Sequence, residues 1–300
     1  MATRGKCDTR SMAAETHSQG DSPHSGTADA HGLEAALAAR IDGEVRFDAY
    51  SRELYATDAS AYRRVPIGVV FPADVDDVVA VMRYCADAQV AVLPRGGGTS
   101  LAGQAVNEAV ILDFTKHMTA VGSVDTDRRM VRAEAGVTLG RLNAQLRAAG
   151  LKFPPDPAWG DKSTLGGAIG NNSTGAHSLL YGKTDYYLEE VEAVLADGST
   201  ATFGEMSIDA LRERADPTGT LLEAIYARVL QVLDEHADAV DDRYPDLKRN
   251  VSGYNLDMLV DAMRGQMRLP DDSGIDPDQE PGSVNLAHLL AGSEGTLAII

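Results

Sequence analysis

The sequence contains very little cysteine: Cys7 and Cys85 are the only two in 300 residues. They lie far apart and form no ligand-spaced pair, which excludes a disulfide framework and a zinc or iron site built from cysteines. No apolar run approaches the roughly 18 residues that span a bilayer, and residues 1–20 lack the apolar stretch of a signal peptide. These absences predict a cytoplasmic protein without a transmembrane segment.

Positive charge is also scarce, and lysine is the scarcer of the two bases. The chain has 45 Asp and Glu against 27 Lys and Arg, a formal net charge of -18, and only 6 of the bases are lysine. Such a surface would repel phosphate backbones and anionic lipid head groups, which excludes a general nucleic-acid or membrane-surface role. An Asp-rich, Lys-poor balance is typical of a halophilic protein, since salt screens self-repulsion; an ordinary acidic cytosolic protein is the alternative.

Apolar residues make up 44% of the chain but are unevenly spread. Residues 1–31 have hardly any aliphatic side chains to offset the entropy cost of ordering, so we expect a disordered tail. Its histidines, His17, His24 and His31, recur every seven residues, and scattered solvated histidines are favoured over a metal site.

The ordered region shows helix and strand periodicity in alternation. We expect a helix from Leu33, then strands at 67–72, 90–94 and 109–114, with a helix at 74–89 between the first two. A strand at 129–136 and a helix at 137–150 should follow. The rest should form a hairpin at 187–203 that turns at Asp197-Gly198, a helix at 221–239, a polar loop at 265–283 and a strand in 295–300. The early strand, helix, strand order implies parallel strands joined by a right-handed crossover.

A glycine-rich segment, Pro94–Gln104 (PRGGGTSLAGQ, the first loop), follows the second predicted strand. Three consecutive glycines let successive N–H groups converge on one anion, and Thr99 and Ser100 add hydroxyl donors, so a phosphate or pyrophosphate would fit. The loop lacks the Gly-Lys-Ser/Thr ending of a triphosphate loop and the spacing of a nicotinamide crossover. Taken alone, it is equally compatible with a flexible hairpin.

A second polar segment, Phe153–Thr184 (the second loop), is too rich in Gly, Asn, Ser and Thr for an ordinary linker. Its glycines allow close backbone approach, and its amides and hydroxyls can hydrogen-bond a polar planar ligand. Within this loop, the sequence does not distinguish two roles for His177, packing in the core or a contact with a ligand or substrate. We interpret His117 as structural, and Trp159, Tyr186 and Tyr187 as core or surface aromatics.

Together with KRNVSGYNLDML (residues 248–259) and LAGSEGTLAII (residues 290–300, the terminal motif), both loops resemble the flavin-binding domain of the vanillyl-alcohol oxidase and p-cresol methylhydroxylase superfamily. More narrowly they are similar to its D-2-hydroxy-acid dehydrogenase branch, which includes the glycolate oxidase flavin subunit, D-lactate dehydrogenases and D-2-hydroxyglutarate dehydrogenases. The resemblance runs from about Tyr55 to Ile300, with four motifs in the same order.

That resemblance implies an α+β fold with two subdomains in one FAD-binding domain over residues 32–300. A small parallel α/β subdomain would cover about 32–115. A larger, mostly antiparallel sheet flanked by helices would cover 116–300, with a polar insertion near 265–283.

The resemblance also implies which residues hold FAD. They are Pro94, Arg95, Gly96, Gly97, Gly98, Thr99, Ser100, Gly103 and Gln104 around the pyrophosphate, Pro155 and Asp156 near the ribityl chain and ring, Thr164, Gly166, Gly167, Asn171, Ser173 and Gly175 along a second wall, and Glu294 and Gly295 from the terminal motif. Lys248, Asn250 and Tyr254 would fall near the ring. Members with covalent FAD carry His where this chain has Thr99, so non-covalent FAD is expected.

The implied activity is oxidation of a D-2-hydroxy acid such as D-lactate, glycolate or D-2-hydroxyglutarate, by hydride transfer to flavin N5. Electrons would pass to a quinone, cytochrome or iron–sulfur partner. In the family a cap domain with the catalytic base and a histidine metal cluster follows the terminal motif, so we expect both beyond Ile300 and no metal site before it.

Three alternatives remain open from the sequence. One is the ether-lipid synthase branch, which uses the same domain without net oxidation. Another is an FAD-carrying electron-transfer or assembly subunit without its own substrate site. The third is a phosphate-binding module without flavin.

Overall fold

The computed structural model describes residues 28–245, 247, 250–251, 253–265 and 282–300. In these residues helices α1 to α10 span Ala28–Ala38, Ala49–Leu54, Val75–Asp87, Leu139–Leu146, Leu165–Gly170, Ser178–Tyr181, Ile208–Arg214, Leu221–Arg243, Leu256–Met263 and Ala287–Leu290. Strands β1 to β7 span Glu44–Arg46, Gly68–Phe71, Val92–Arg95, Val110–Asp113, Glu190–Val194, Thr200–Ser207 and Ser283–Asn285. Short 3-10 turns cover Arg147–Ala149 and Thr184–Tyr187.

The first sheet has the order β1-β2-β4-β3, and β2 and β3 both pair with β4 in parallel. Strands β2 and β4 are buried along their whole length, which explains their continuous apolar sequence. Helix α3 connects β2 to β3 and buries Val78, Val81 and Cys85, and Asp74 caps its first turn through two backbone N–H groups. The predicted parallel crossover is therefore present. It joins β2 to β3, and β4 lies between these two strands in the sheet.

The second sheet is antiparallel, in the order β5-β6-β7. Its hairpin turns at Gly198, whose φ of 74° suits glycine. The inner face forms a core with the helices that follow, in which Leu211, Leu233 and Leu259 are fully buried. A parallel-rich sheet followed by a separate antiparallel sheet confirms the predicted α+β class, while the division near residue 115 stays a prediction.

The strand predicted at 129–136 is wrong. Asp125 and Met130 exchange two backbone hydrogen bonds, which closes a tight turn, and Arg129 inside it has a φ of 56°. After this turn, residues 132–136 run antiparallel to 118–122: the N–H of Gly122 donates to the Arg132 carbonyl, that of Glu134 to Ala120 and that of Gly136 to Met118. Ala133 forms an isolated bridge with Val121. The backbone contacts of an extended segment are therefore present, but the turn takes its first residues and no regular strand forms.

Three further boundaries differ from expectation. Helix α1 begins at Ala28, four residues inside the predicted tail, where the buried Leu33 and Leu37 anchor it. Ser283 belongs to β7, so the predicted polar loop ends earlier, and residues 266–281 of it lie outside the described residues. In the terminal motif only Ile299 pairs, because the left-handed residues before it interrupt the strand.

Candidate functional site

The first loop is fastened to the protein by Arg95 at its start. The guanidinium Nη1 and Nη2 donate to the carbonyls of Ala105 (2.7 Å) and Thr57 (2.9 Å), and the group lies 5.1 Å over the ring of Tyr55. Burial lowers the pKa of Arg95, and the Tyr55 hydroxyl in turn donates to Asp113 at the end of β4. The resemblance implied Arg95 among the residues around the pyrophosphate; in the structure its guanidinium holds the backbone on both sides of the loop.

The glycines of the first loop lie directly against the second loop. A Cβ on Gly96 would lie 2.1 Å from Oγ1 of Thr164, and one on Gly97 would lie 2.0 Å from the carbonyl oxygen of Lys162. Both distances are far below van der Waals contact, so only glycine allows the two loops to meet in this way. The two segments that the sequence singled out separately therefore form one surface.

Hydroxyl groups lie beside this junction. Oγ1 of Thr99 is 3.2 Å from Oγ of Ser163, within hydrogen-bond distance across the two loops. Ser100 donates to the side-chain carbonyl of Gln104, which closes the first loop on itself. Gly98, with a φ of 63°, turns the backbone immediately before Thr99. A ligand at the junction would meet glycine backbone and hydroxyl groups.

Close packing also shapes the second loop. The Thr164 side chain accepts from the N–H of Gly167 (3.2 Å) and so caps the short helix α5. A Cβ on Gly166 would lie 2.8 Å from that of Ala135, and one on Gly175 would lie 2.0 Å from the carbonyl oxygen of Asp156. The Pro155–Asp156 segment therefore packs against the Gly175 backbone.

Asp156 connects a basic side chain just before the second loop with one inside it. Its Oδ2 lies 3.1 Å from Nζ of Lys152 and 3.0 Å from Nδ1 of His177, and its φ is 49°. Lys152, and then His177, lower the pKa of this carboxyl. His177 is half-exposed and oriented by a carboxylate, which decides against packing in the core.

The terminal motif returns to both loops. The N–H of Glu294 donates to the Gly170 carbonyl (2.8 Å), and its Oε1 accepts from Nε2 of Gln104 (2.8 Å). A Cβ on Gly295 would lie 2.8 Å from Cγ of Pro94. The structure therefore brings together three motifs that are up to 190 residues apart.

The remaining predicted residues are placed as follows. Asn171 donates to Oγ of Ser173 (3.3 Å) within the second loop, and the Tyr254 hydroxyl lies 3.0 Å from Oγ1 of Thr296 in the terminal motif. Lys248 lies outside the described residues. His117 is 3.6 Å from Glu44 at the surface.

The aromatic side chains also have surface or partly buried positions. Trp159 is 61% exposed, and Tyr186 and Tyr187 are partly buried. Within the described ranges, no group of three His, Cys, Asp or Glu residues is arranged to bind a metal. Among the same residues, no helix is both long and apolar enough to cross a bilayer.

Sequence reasoning missed a buried polar cluster beneath the second loop, formed by Asn172, Lys183, Asp185 and Asn255. Their side chains are hydrogen-bonded or ion-paired to one another. Lysine, aspartate and asparagine normally indicate surface, so the composition pointed away from burial. The one available signal was the position of Lys183 at the end of the second loop and of Asp185 directly after it.

The surface at which the first and second loops meet suits an extended cofactor that contains phosphate. The cradle at Gly96 and Gly97 has no room for a Cβ, and the hydroxyls of Thr99 and Ser163 lie beside it. Such a cradle needs no lysine, which reconciles it with the net charge of -18. The residues present therefore fit a flavin dinucleotide.

Comparison with known proteins agrees with this geometry. Residues 66–204 match the model of a family described as FAD binding domain. Over 271 residues the chain is 31% identical to a D-2-hydroxyglutarate dehydrogenase of Pseudomonas putida. This alignment covers 89% of the chain and 25% of that relative. It is 39% identical over 142 residues to a D-lactate dehydrogenase of Archaeoglobus fulgidus, covering 47% of the chain and 31% of the relative. The chain spans about a quarter of the length of the D-2-hydroxyglutarate dehydrogenases that it matches.

Solved structures show the same fold. An alkyldihydroxyacetonephosphate synthase matches with a TM-score of 0.53 and 20% identity, over 65% of this chain and 37% of that one. The BBE-like 1 protein of Physcomitrella patens matches with a TM-score of 0.50 and 23% identity, over 57% and 37%. At these identities the likeness concerns architecture, and it confirms the predicted two-sheet arrangement.

Proposed function

We propose, from the premise that residues 66–204 belong to the FAD binding domain family, that this chain is the FAD-binding part of a D-2-hydroxy-acid dehydrogenase. The observation that carries the proposal is the junction of the two loops at Gly96, Gly97 and Thr164, closed by the hydrogen bond from Gln104 to Glu294. This arrangement supplies one continuous binding surface for a dinucleotide.

The residues of the first loop would hold the pyrophosphate. The N–H groups of Gly96, Gly97 and Gly98 would bind its oxygens, and the hydroxyls of Thr99 and Ser163 would add donors beside them. The side chain of Thr99 has no ring nitrogen for covalent attachment, so the cofactor would dissociate. When bound, FAD supplies the acceptor for the two electrons removed from the substrate.

The substrate class follows from the relatives. They are named D-2-hydroxyglutarate dehydrogenase, D-lactate dehydrogenase and glycolate oxidase subunit GlcD, and each name denotes a 2-hydroxy acid substrate. We infer a D-2-hydroxy acid as substrate, and a quinone, a cytochrome or an iron–sulfur protein as the class of electron acceptor.

The same proposal includes the environment of the protein. The excess of 45 acids over 27 bases supports a salt-adapted protein, since screening relieves the self-repulsion of such a surface. The buried, unpaired Cys85 thiol fits a reducing, cytoplasmic compartment.

The experiment that tests this activity uses the full-length protein of which this chain is proposed to be the FAD-binding part, loaded with FAD. The D and L enantiomers of 2-hydroxyglutarate and lactate, together with glycolate, are added anaerobically, and flavin absorbance is followed. We expect loss of absorbance with at least one D-2-hydroxy acid or glycolate and none with the L enantiomers. Loaded protein that no D-2-hydroxy acid or glycolate reduces would overturn the dehydrogenase proposal and favour a carrier subunit.

A further inference from the structure

We propose that Asp185 and Asn172 are positioning residues for the cofactor, because their buried contact sets the shape of the second loop and its distance from the terminal motif. The proposal rests on the FAD site described above. Asp185 is completely buried, so it would act on the cofactor through the backbone that it holds.

Asn172 lies between Asn171 and Ser173, two of the residues predicted to contact FAD. Its side chain is fully buried and its φ is 44°, in the left-handed region that few residues other than glycine adopt. Two reciprocal hydrogen bonds hold it there: Nδ2 donates to Oδ2 of Asp185 (2.6 Å), and Oδ1 accepts from the N–H of Asp185 (3.0 Å). The conformation of the loop at this point therefore depends on Asp185.

The Asp185 carboxyl group is buried and has several hydrogen-bond and ion-pair partners. Besides Asn172, its Oδ2 is 2.9 Å from Nζ of the buried Lys183 and accepts from Nδ2 of Asn255 (3.2 Å), while Oδ1 accepts from the N–H of Tyr186 (2.8 Å). A buried charge is retained only when ion pairing and hydrogen bonds offset its desolvation. These contacts give the carboxylate one well-defined position from which to orient its neighbours.

Asn255 extends the network to the chain that leads into the terminal motif. Its Nδ2 also donates to the carbonyls of His288 (3.1 Å) and Ala291 (3.0 Å). Immediately beyond, the N–H of Gly292 donates to the carbonyl of Ile169 (3.0 Å). Helix α10 and the turn after it are therefore connected to the second loop through the same buried cluster.

Both ends of this network finish at predicted cofactor residues. One end is the Asn171–Ser173 segment of the second loop, and the other is Glu294, which contacts Gly170 and Gln104. Breaking the contact between Asn172 and Asp185 should let these two walls of the site shift relative to each other. The loss should therefore appear in cofactor affinity beyond any effect on folding.

The test replaces Asn172 by glycine. Asn172→Gly keeps the left-handed backbone without strain and removes both side-chain hydrogen bonds with Asp185. Gln89→Gly is the matched control, because Gln89 also has a positive φ (54°) but lies at the end of α3, away from the network. The dissociation constant for FAD, the visible circular dichroism of the bound flavin and the thermal midpoint of the cofactor-free protein are measured for both variants and the wild type.

We expect Asn172→Gly to weaken FAD binding at least about tenfold and to change the flavin dichroism, with the cofactor-free protein still folded. Gln89→Gly should bind FAD as the wild type does. If Asn172→Gly does not fold, Asn255→Ser, which keeps a hydroxyl donor, is measured in its place with the same expectation.

Two contrary results are distinct. In the first, the wild type and the control bind FAD, and a folded Asn172→Gly protein shows the same FAD affinity and flavin dichroism as the wild type. This result would overturn the positioning role and leave the proposed function unaffected. A folded wild-type protein that does not bind FAD would overturn the proposed function itself, and the positioning role with it.

Discussion

The side-chain amide of Gln104 donates a 2.8 Å hydrogen bond to the carboxylate of Glu294, across 190 residues of sequence. Glu294 has a φ of 53°, so its backbone is held in a conformation unusual for glutamate. The bond joins the first loop to the terminal motif at the edge of the candidate site. One neutral donor opposite one carboxylate therefore contributes to the closure of that site, beside the hydrogen bond from the Glu294 N–H to Gly170.

Reversing this complementarity should open the site. Gln104→Glu places two carboxylates opposite each other, and we expect up to about 1 kcal/mol of lost stability and weaker FAD binding, partly restored by salt because the pair is exposed. Urea unfolding and FAD titration at low and high salt measure both effects. Gln104→Met, which removes the bond without adding charge, should show no restoration by salt; equal salt responses of the two variants would contradict the account.

The contact between the two loops predicts a strong effect of a single methyl group. In Gly97→Ala the added Cβ would meet the Lys162 carbonyl at 2.0 Å, and neither backbone can yield without separating the loops. We expect a loss of about 1–3 kcal/mol in the free energy of unfolding, together with weaker FAD binding. Gly32→Ala, in the open first helix, is the control and should stabilise by about 0.5–1 kcal/mol. Unchanged stability of Gly97→Ala in urea unfolding would refute the close contact.

The role of Arg95 can be separated from its charge. Arg95→Lys keeps the charge but loses the planar fork that reaches the carbonyls of Thr57 and Ala105. We expect a loss of about 1–3 kcal/mol in unfolding free energy, close to that of Arg95→Met. If charge towards a ligand were the main role, Arg95→Lys would retain FAD affinity that Arg95→Met loses, and an FAD titration of both variants decides between the two.

The buried carboxyl of Asp257 predicts a specific pH dependence. Its Oδ1 has no hydrogen-bond partner in the described part of the chain, and burial, which outweighs the attraction of Lys183, raises its pKa above 3.8. The folded state therefore favours the protonated form, and stability is lost as the pH rises from 3.8 through the raised pKa.

Asp257→Asn should accordingly raise the thermal midpoint at pH 7. The gain should shrink as the pH falls through the raised pKa and vanish well below 3.8, where the wild-type carboxyl is protonated in both states. Asp234→Asn, at an exposed position of α8, changes the net charge equally without this burial. Thermal unfolding between pH 3 and 8 should show a pH-dependent gain for Asp257→Asn alone. The same gain in both variants would show that net charge, not burial, is responsible.

The sequence predicted those elements whose pattern has a single physical meaning. The buried runs of β2 and β4 and the amphipathic α3 were all found, as was the hairpin that turns at Gly198. The strand at 129–136 failed because alternation reports which side chains face inward, while pairing depends on turn geometry around Arg129.

The candidate site was predictable only in its separate pieces. The glycines of the first loop indicated close backbone approach, but their partner, the Lys162–Thr164 segment, depends on tertiary packing. The hydrogen bonds of Arg95 to the carbonyls of Thr57 and Ala105 also depend on tertiary packing, so nothing in the sequence indicated them. Asp185 reads as a surface residue until the polar groups that bury it are seen.

A titration of the purified chain with FAD, followed by denaturation and removal of the protein, tests the central claim most directly. The account predicts saturable binding of one FAD per chain with a shifted visible spectrum, and release of all flavin into the supernatant on denaturation, because Thr99 offers no covalent attachment. A folded chain that takes up no FAD would contradict the account.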